Sequence, residues 1–496
     1  MQYVIGIDIG TTSTKAVAFT DAGEILATCH SGYSAFSDKA GWHELDPIVL
    51  FDATTRVLKQ AVQEAGKEGL VGVCFSCAMH SLIAVDHTGE PITPAMTWAD
   101  LRSQKVAQAL KGTDAGKRIY RQTGTPVHAM SPLCKLLWMR DNSPEIFHTA
   151  SRFVSIKEYI WFRLFGTWRI DHSLASATGL FDIYALTWFA ESLELAGIGA
   201  ERLSEPVPCT FSEPALSEAL TGGLGLPAGL PLIIGSSDGC LANLGSHAVR
   251  HGETTLTIGT SGAVRMTTPA PRYDPQERIF NYILSGKTYV CGGATNNGGN
   301  VLQWYAQQFM GRKMPPDPAE LSSLIHEAMS VAPGCEGLVF LPYLHGERAP
   351  LWDAGATGVF FGIRSNHEQR HFLRAVIEGV SYSLFQVGAS LQEAIGPIEC
   401  VYASGGFIRS EAWLQLIADL FLKKVNITNS ADASAIGAAI LGMHALGLIP
   451  DLEGSQNLIR IQASYLPDPA RHTIYQRNYA VFTALYARLK DLMPPP

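Results

Sequence analysis

The chain opens with two apolar segments separated by a short turn rich in glycine, threonine and serine. This stretch, YVIGIDIGTTSTKAVAF, covers residues 3–19, and its turn follows one acidic residue, Asp8, almost directly. Such a turn presents backbone N–H groups and hydroxyls that bind phosphate, and a neighbouring carboxylate is a ligand that Mg²⁺ prefers. The pattern predicts a β-hairpin that holds the phosphates of a nucleotide.

A related stretch, TTLTIGTSGAVRM, recurs at residues 254–266. Either stretch alone also suits an ordinary hairpin, because these residue types favour tight turns. Their recurrence favours a duplicated fold with a nucleotide cleft between the halves. Neither stretch is a P-loop or a G-x-G-x-x-G motif, which leaves an α/β fold of two actin-like, ribonuclease H-like domains as the candidate architecture.

The length of 496 residues predicts two domains, since a single core of that size is uncommon. The stretch LPLIIGSSDGCLANLGS, residues 230–246, has the pattern of an apolar strand, a turn and a helix. We place the boundary at its end, which gives domains of 1–245 and 246–496.

Composition narrows the function to small-molecule chemistry. The net charge is −8 and no dense Lys/Arg run occurs, which argues against nucleic-acid and membrane-surface partners. A strand begins within three residues of the start and no apolar run reaches about 18 residues, so we expect a cytoplasmic protein. Homodimers are a common default among soluble proteins, so a homodimer is the expected assembly.

Two local patterns predict elements of the first domain. The stretch HELDPIVLFDATTRVLKQAVQEAG favours a capped helix, with Pro47 near its first turn and Gly66 after its end. The next stretch, LVGVCFSCA, is a near-continuous apolar strand. Its C-x-x-C, Cys74 to Cys77, lacks the second pair that a zinc site needs, so we expect buried strand cysteines. The β-β-α-β order predicts mixed sheets flanked by helices.

Two longer motifs are more specific. They are Met130-Ser-Pro132-x-x-Lys135-Leu-x-Trp138-Met-x-Asp141-Asn142, and Gly358-x-Phe360-x-Gly362-Ile363 followed by His371-Phe372 and Ala375-Val-Ile-Glu378. In this order they resemble the two signatures of the FGGY carbohydrate kinase family, and the resemblance extends over essentially the whole chain.

The resemblance implies ATP as the phosphate donor, with Mg²⁺ near Asp8. It assigns the sugar and the first phosphate loop to the domain 1–245 and the adenine nucleotide to the domain 246–496. The residues it assigns to ATP are Gly10, Thr11, Thr12, Ser13, Lys15, Gly259, Thr260, Gly299, Gln303, Gly405, Gly406 and Ser410. At a strand end, Gly405-Gly406 would let the backbone approach a flat base, because no Cβ intervenes. A tight turn between strand and helix is the alternative there.

Phosphoryl transfer needs a base for the attacking hydroxyl, and the resemblance implies that Asp238 fills this role. Asp238 lies in GSSDG, at the end of an apolar strand. The alternative is that its side chain only caps the next helix.

Met79 and His80 stand where glycerol kinases of the family carry an Arg-Glu pair, which argues against glycerol. The surrounding segments resemble gluconate kinases of the family more than its xylulose kinases. The resemblance therefore implies transfer of phosphate from ATP to D-gluconate, giving 6-phospho-D-gluconate, with xylulose or another pentulose or pentitol as the alternative. The substrate-binding residues we expect are Met79, His80, Trp98, Arg102, Met130 and Asp238.

A substrate carboxylate requires a cation or N–H donors once water is excluded. The candidates are Arg102, Arg265, Arg348 and Lys157. The alternative hypothesis for the function is a nucleotide-binding regulator of actin-like fold, which would bind or hydrolyse ATP independently of any sugar.

Overall fold

The structure is a computed structural model that describes residues 1–37, 39, 41–312, 318–430 and 432–493. The chain forms two compact units. The first comprises Met1–Val249, Thr268–Val290 and Asp432–Arg460, and the second comprises Arg250–Thr267, Cys291–Ala431 and Ile461–Pro496. The functional division into residues 1–245 and 246–496 stays a prediction.

The first unit is built on a mixed six-stranded sheet. In order across the sheet, its strands are Ser212–Pro214, Pro231–Ser237, Leu70–Cys77, Tyr3–Ile9, Ser13–Thr20 and Ile25–Gly32. The second, third and fourth strands in this order run parallel, so their carboxyl ends lie at one edge of the sheet. Ligands of open α/β sheets bind at such edges.

Helices and short strands surround this sheet. The helices of the first unit are Pro47–Ala65, Gln104–Leu110, Asp114–Thr123, Pro132–Asn142, Pro144–Thr149, Ile156–Phe165, His172–Ser176, Ala190–Ala196, Asp238–Gly245 and Ala433–Ala445. Its further strands are Glu44–Leu45, Ile83–Val85, Ala95–Met96, Arg152–Val154, Arg169–Asp171, Phe181–Asp182, Thr187–Trp188, Glu205–Val207 and Phe280–Ser285.

The predicted first helix is confirmed and shows why the sequence starts and stops it there. The Asp46 side chain accepts a hydrogen bond from the Ile48 amide, Pro47 occupies the first turn, and Gly66 follows the end with a φ of 82°. This is the usual asymmetry of proline at the start and glycine after the end. Cys74 and Cys77 are buried, unpaired thiols of the strand Leu70–Cys77, as expected.

The helix Ala433–Ala445 belongs to the first unit although it lies late in the sequence. It packs against the strand Tyr3–Ile9 and the helix Asp238–Gly245, and its backbone lies close to the backbone of both elements. A Cβ on Gly437 would lie 2.0 Å from the Leu241 carbonyl oxygen, and one on Gly245 would lie 1.8 Å from that of Ala433. Glycine at both contacts permits this approach, which fixes the helix that begins with Asp238.

The second unit repeats the strand arrangement of the first. Six strands pair side by side in the order Thr288–Thr295, Gly262–Thr268, Glu253–Ile258, Cys400–Ser404, Val425–Thr428 and Ile461–Tyr465, and Val339–Leu341 and Val359–Phe361 form a separate pair. Its helices are Gly299–Met310, Pro318–Met329, Gln369–Ala394, Glu411–Phe421 and Pro469–Leu489. In both units an antiparallel hairpin adjoins a parallel strand. Within the described ranges, no helix has both the length and the apolarity to cross a membrane.

Candidate active site

Three adjacent parallel strands of the first unit have predicted site residues at or just after their carboxyl ends. Asp8 is the penultimate residue of Tyr3–Ile9, Met79 and His80 follow Leu70–Cys77, and Asp238 follows Pro231–Ser237. The strand order therefore brings these predicted residues to one edge, as neighbouring parallel strands require.

Asp8 is held by a hydrogen bond and by its surroundings. Its Oδ1 accepts from the Ser76 hydroxyl at 2.7 Å, since the two residues are register partners on neighbouring strands. Burial, and after it the negative charge of Asp238, raise the pKa of Asp8 to about 6, although Ser76 and Lys15 act in the opposite direction. The site thus holds two carboxylates close enough to repel each other.

Asp238 is the first residue of the helix Asp238–Gly245, and its Oδ1 accepts from the Gly239 amide at 2.7 Å. Ser237, the residue before Asp238, is held by the helix His172–Ser176. The Ser237 amide donates to the Ser173 hydroxyl at 3.1 Å, and the two hydroxyls lie 2.8 Å apart. Both serines are buried, so the carboxylate stands on a rigid backbone at a strand end.

Lys157 also fixes this strand end. Its ammonium forms a buried ion pair with Asp171 at 2.7 Å and donates to the Ser236 carbonyl oxygen at 2.9 Å. A role for Lys157 as ligand of the substrate carboxylate stays a prediction, but its charge is already matched. The geometry makes it a support for the backbone that leads to Asp238.

His80 has an unusual backbone and a well-oriented ring. Its φ of 67° lies in the left-handed region, where residues other than glycine are strained. The ring Nδ1 lies 2.8 Å from the Ala177 carbonyl oxygen and Nε2 lies 3.4 Å from the Tyr282 hydroxyl. Because a carbonyl only accepts, Nδ1 carries a proton and donates it to Ala177, and Nε2 is the ring nitrogen that faces a hydroxyl. Met79 is half-buried and packs against the core.

The first predicted phosphate loop is a tight hairpin turn. The Gly10 amide donates to the Ser13 carbonyl at 3.0 Å, and the Tyr33 hydroxyl donates to the Gly10 carbonyl at 2.7 Å. Thr11 is half-buried and Thr12 is exposed. Lys15, opposite Asp8 in register, forms an ion pair with Asp432 at 2.6 Å.

The side chain of Arg102 is buried and its charge is compensated within the protein. Its guanidinium pairs with Glu44 and, at 2.7 Å, with Asp100, and it stacks on the Trp42 ring at 3.6 Å. The nearby Trp98 is half-buried. A substrate-binding role for Arg102 stays a prediction. In the structure its guanidinium also has a structural role, because it holds Asp100 and Glu44 together.

Met130 is buried directly before the helix Pro132–Asn142, whose N-cap is Ser131. The other two proposed carboxylate ligands lie in the second unit. Arg348 is buried and donates to the Thr295 carbonyl at 2.9 Å, and Arg265 is a half-buried residue of the strand Gly262–Thr268.

The second predicted phosphate loop repeats the first one. The Gly259 amide donates to the Ser261 carbonyl at 2.9 Å, and Thr260 is exposed. The helix Gly299–Met310 docks on this turn, because the Gly299 amide donates to the Gly259 carbonyl at 2.7 Å. A Cβ on Gly299 would lie 2.8 Å from that same oxygen, so glycine is what the contact admits. Gln303, one turn further on, is half-buried.

The paired glycines Gly405 and Gly406 follow the strand Cys400–Ser404 and are exposed. Gly405 has a φ of 95°, and a Cβ there would lie 2.4 Å from the Ile258 carbonyl oxygen. Ser410 caps the helix Glu411–Phe421 by accepting from the Trp413 amide at 3.3 Å. Ser410 also lines a cavity of about 610 Å³ in this unit. The nucleotide-binding role of all three residues stays a prediction.

Sequence models of one protein family match both parts of the chain. The N-terminal domain model of the FGGY family of carbohydrate kinases matches residues 3–245, and its C-terminal domain model matches residues 254–446. The chain belongs to this family. It is therefore a phosphotransferase with an alcohol group as acceptor, and kinases of the family use ATP.

Individual relatives of this kinase agree with that assignment. It is 40% identical to the gluconokinase of Bacillus subtilis (strain 168) over 99% of this chain and 96% of the relative. A gluconate kinase structure from Lactobacillus acidophilus is 33% identical, with a TM-score of 0.93 over 98% of both chains. A ligand-bound xylulose kinase structure from the same organism is also 33% identical, with a TM-score of 0.93 over 99% of both chains. These similarities confirm the predicted two-domain, actin-like α/β fold.

Sequence reasoning missed several residues that support the site of the kinase. Glu347 is one, a buried acid that accepts from the Asn296 amide at 2.6 Å and from the Asn297 side chain at 3.1 Å. It thereby ties down the segment that leads into the helix bearing Gly299. Burial raises its pKa to about 7 despite these hydrogen bonds. No local pattern indicates the pairing, because its partners lie far apart in sequence.

Proposed function

We propose that this kinase transfers the γ-phosphoryl group of ATP to the 6-hydroxyl of D-gluconate, giving 6-phospho-D-gluconate and ADP. The observation that carries the substrate is the 40% identity to the Bacillus subtilis gluconokinase along essentially the whole of both chains. D-Xylulose is the second candidate, because a xylulose kinase structure matches with a TM-score as high as that of a gluconate kinase.

Asp238 acts as the base in this proposal. Its carboxylate takes the proton of the 6-hydroxyl, the freed oxygen forms a bond to the γ-phosphorus, and the bond from phosphorus to the bridging oxygen of ADP breaks. Little covalent chemistry falls to the protein, so positioning and charge stabilisation dominate. The support is the fixed backbone before Asp238, which comes from Ser173 and Lys157.

Asp8 suits a magnesium site. Mg²⁺ is typically held by one or two carboxylates together with substrate phosphates. Asp8 fits because its carboxylate is a hard oxygen donor beside a second negative charge, and an added cation would relieve that repulsion. Among the described residues there is no cluster of three or more acidic, His or Cys ligands, so phosphate oxygens would complete the shell. When bound, the ion neutralises charge on the phosphate oxygens.

For ATP we propose that both hairpin turns and the glycine pair supply backbone contacts. The supporting observations are the exposed Thr12, Thr260 and Gly406. Each belongs to a turn after a strand, and such turns offer N–H groups to phosphates or approach a base closely. Lys15, Gln303 and Ser410 complete this proposed set, together with Gly10, Thr11, Ser13, Gly259, Gly299 and Gly405.

For the sugar we propose that His80 accepts a hydrogen bond from a substrate hydroxyl through Nε2. Met79, Trp98 and Met130 would shape the walls of the site, and Arg102 remains a candidate for the carboxylate. We also propose a cytoplasmic location, with a homodimer as the expected assembly and no nucleic-acid or membrane partner.

The deciding experiment measures ADP release from Mg·ATP with D-gluconate, D-xylulose, L-ribulose, glycerol or no sugar. Turnover on gluconate alone supports the proposal. Turnover on xylulose alone moves the assignment to the second candidate, while the base and the fold stay as described. ATP hydrolysis that no sugar changes would instead support a nucleotide-dependent regulator.

A further inference from the structure

Lys135 is a fully buried lysine of the helix Pro132–Asn142. Its ammonium donates to three backbone carbonyl oxygens: that of His80, that of Thr97 at 2.6 Å and that of Met96 at 3.4 Å. An ammonium has three N–H donors, so each donor meets one acceptor. The three acceptors belong to two segments that are not adjacent in sequence.

Burying this charge is costly. Burial lowers the pKa of Lys135 to about 7, Asp100 and Cys134 raise it, and Arg102 lowers it. An apolar side chain would pack at this position without that cost. The ammonium therefore has a role that an apolar side chain could not fill. Its hydrogen bonds show that it links the segment at His80 to the segment at Met96 and Thr97.

Both linked segments carry proposed sugar-binding residues. His80 has the strained φ of 67°, and its carbonyl is held by Lys135 while its ring is held by the Ala177 carbonyl. Thr97 directly precedes Trp98. Strained backbone persists only where surrounding contacts over-determine it. Loss of the ammonium would release one of these contacts at His80 and the restraint on Thr97.

We propose that Lys135 is a positioning residue of the sugar site, whose ammonium fixes the backbones of His80 and Thr97 and so orients the His80 imidazole and the Trp98 indole for substrate hydroxyls. This inference rests on the proposed function. Lys135 itself does not touch the substrate.

The first test compares K135M with wild type under steady-state conditions. We expect KM for the sugar to rise about tenfold to 100-fold, since small misplacements of binding groups have effects of this size. KM for ATP should change less than about twofold. The control is L58A, which removes buried side-chain volume from the helix Pro47–Ala65, an element that carries none of the proposed sugar-binding residues, and so matches a general loss of stability. A rise in sugar KM of equal size in L58A, or none in K135M, would overturn the proposal.

The second test is the pH dependence of that KM. A neutral amine has two N–H donors for three carbonyls, so the wild-type KM for sugar should rise as pH increases through about 7. The K135M profile should lack this rise, although it keeps the facing groups Asp100, Arg102, Cys134 and His80, and His43, whose Nδ1 lies 2.6 Å from the Thr97 hydroxyl. A rise that persists in K135M belongs to one of those groups and contradicts the role of Lys135.

Hydrogen–deuterium exchange separates this proposal from the proposed function. In K135M we expect faster amide exchange in residues 78–82 and 96–100, and wild-type exchange there in L58A. If wild-type enzyme phosphorylates no sugar of the panel, the proposed function fails, and the exchange result alone decides whether Lys135 holds the two segments. Unchanged exchange at both segments overturns the proposal even if the kinase is active on gluconate.

Discussion

The carboxylates of Asp8 and Asp238 interact electrostatically although the two residues lie 230 positions apart in the sequence, because the fold brings their strands close together. The charge of Asp238 adds to the effect of burial, and the pKa of Asp8 is raised to about 6. The two residues belong to strands that both pair with Leu70–Cys77. A site with two such carboxylates favours a cation and can offer one of them as a base.

Replacement of the proposed base gives the most direct test of the mechanism. In D238N the side chain keeps its size and loses its basicity, so kcat should fall about 10²-fold to 10⁴-fold while ATP binding persists. The measurement is sugar-dependent ADP release together with ATP binding by calorimetry. D52N, an exposed position on the helix Pro47–Ala65, is the control and should match wild type. Near wild-type phosphorylation by folded D238N would refute the assignment.

The buried Arg102 cluster predicts a loss of stability. R102M leaves Asp100 and Glu44 buried without their cation, and breaking such pairs typically costs about 3–5 kcal/mol. Thermal unfolding measures this loss. R118M is the matched control: its ion pair with Glu191 is exposed to solvent, so the Tm of R118M should match that of wild type. If R102M instead keeps its Tm and raises KM for gluconate but not for xylulose, Arg102 binds the substrate carboxylate.

The glycine pair allows a matched comparison at adjacent positions. G405A forces a Cβ to within 2.4 Å of the Ile258 carbonyl at a φ of 95°, so its Tm should fall. G406A meets no atom within 4 Å, and its Tm should equal that of wild type. If Gly406 contacts ATP as proposed, G406A still raises KM for ATP severalfold. An unchanged KM for ATP in G406A would remove Gly406 from the nucleotide site.

Glu347 predicts a specific pH dependence of stability. Its pKa is raised from 4.5 to about 7 in the folded chain, so between these values the folded state binds more protons than the unfolded state. Its contribution to stability is therefore fully present below about pH 4.5 and is lost as pH rises to about 7, by on the order of 3 kcal/mol.

The measurement is thermal unfolding of wild type and E347Q from pH 5 to pH 8. Since the variant lacks this titration, the Tm of E347Q relative to wild type should increase from pH 5 to 7 and then level off. E327Q, an exposed helix position, should follow the wild-type profile throughout. Parallel profiles for E347Q and wild type would show that Glu347 does not titrate in this range.

The sequence by itself determined the hairpins, the capped first helix, the strand ends that carry Asp8, His80 and Asp238, and the family. These features depend on local patterns, because turn chemistry, capping and alternation of apolar residues act over a few neighbouring residues. The two signatures added the family because they are long and ordered along the chain.

Only the tertiary structure decided which of the candidate cations are already paired with acidic side chains of the protein. Arg102 and Lys157 are candidate carboxylate ligands in the sequence, yet in the fold they pair with buried acids. Lys135 gains its carbonyl partners, and the helix Ala433–Ala445 its place in the first unit, only through the fold. The physical reason is that desolvation and ion pairing depend on distances in space, and these partners come from segments far apart in the chain.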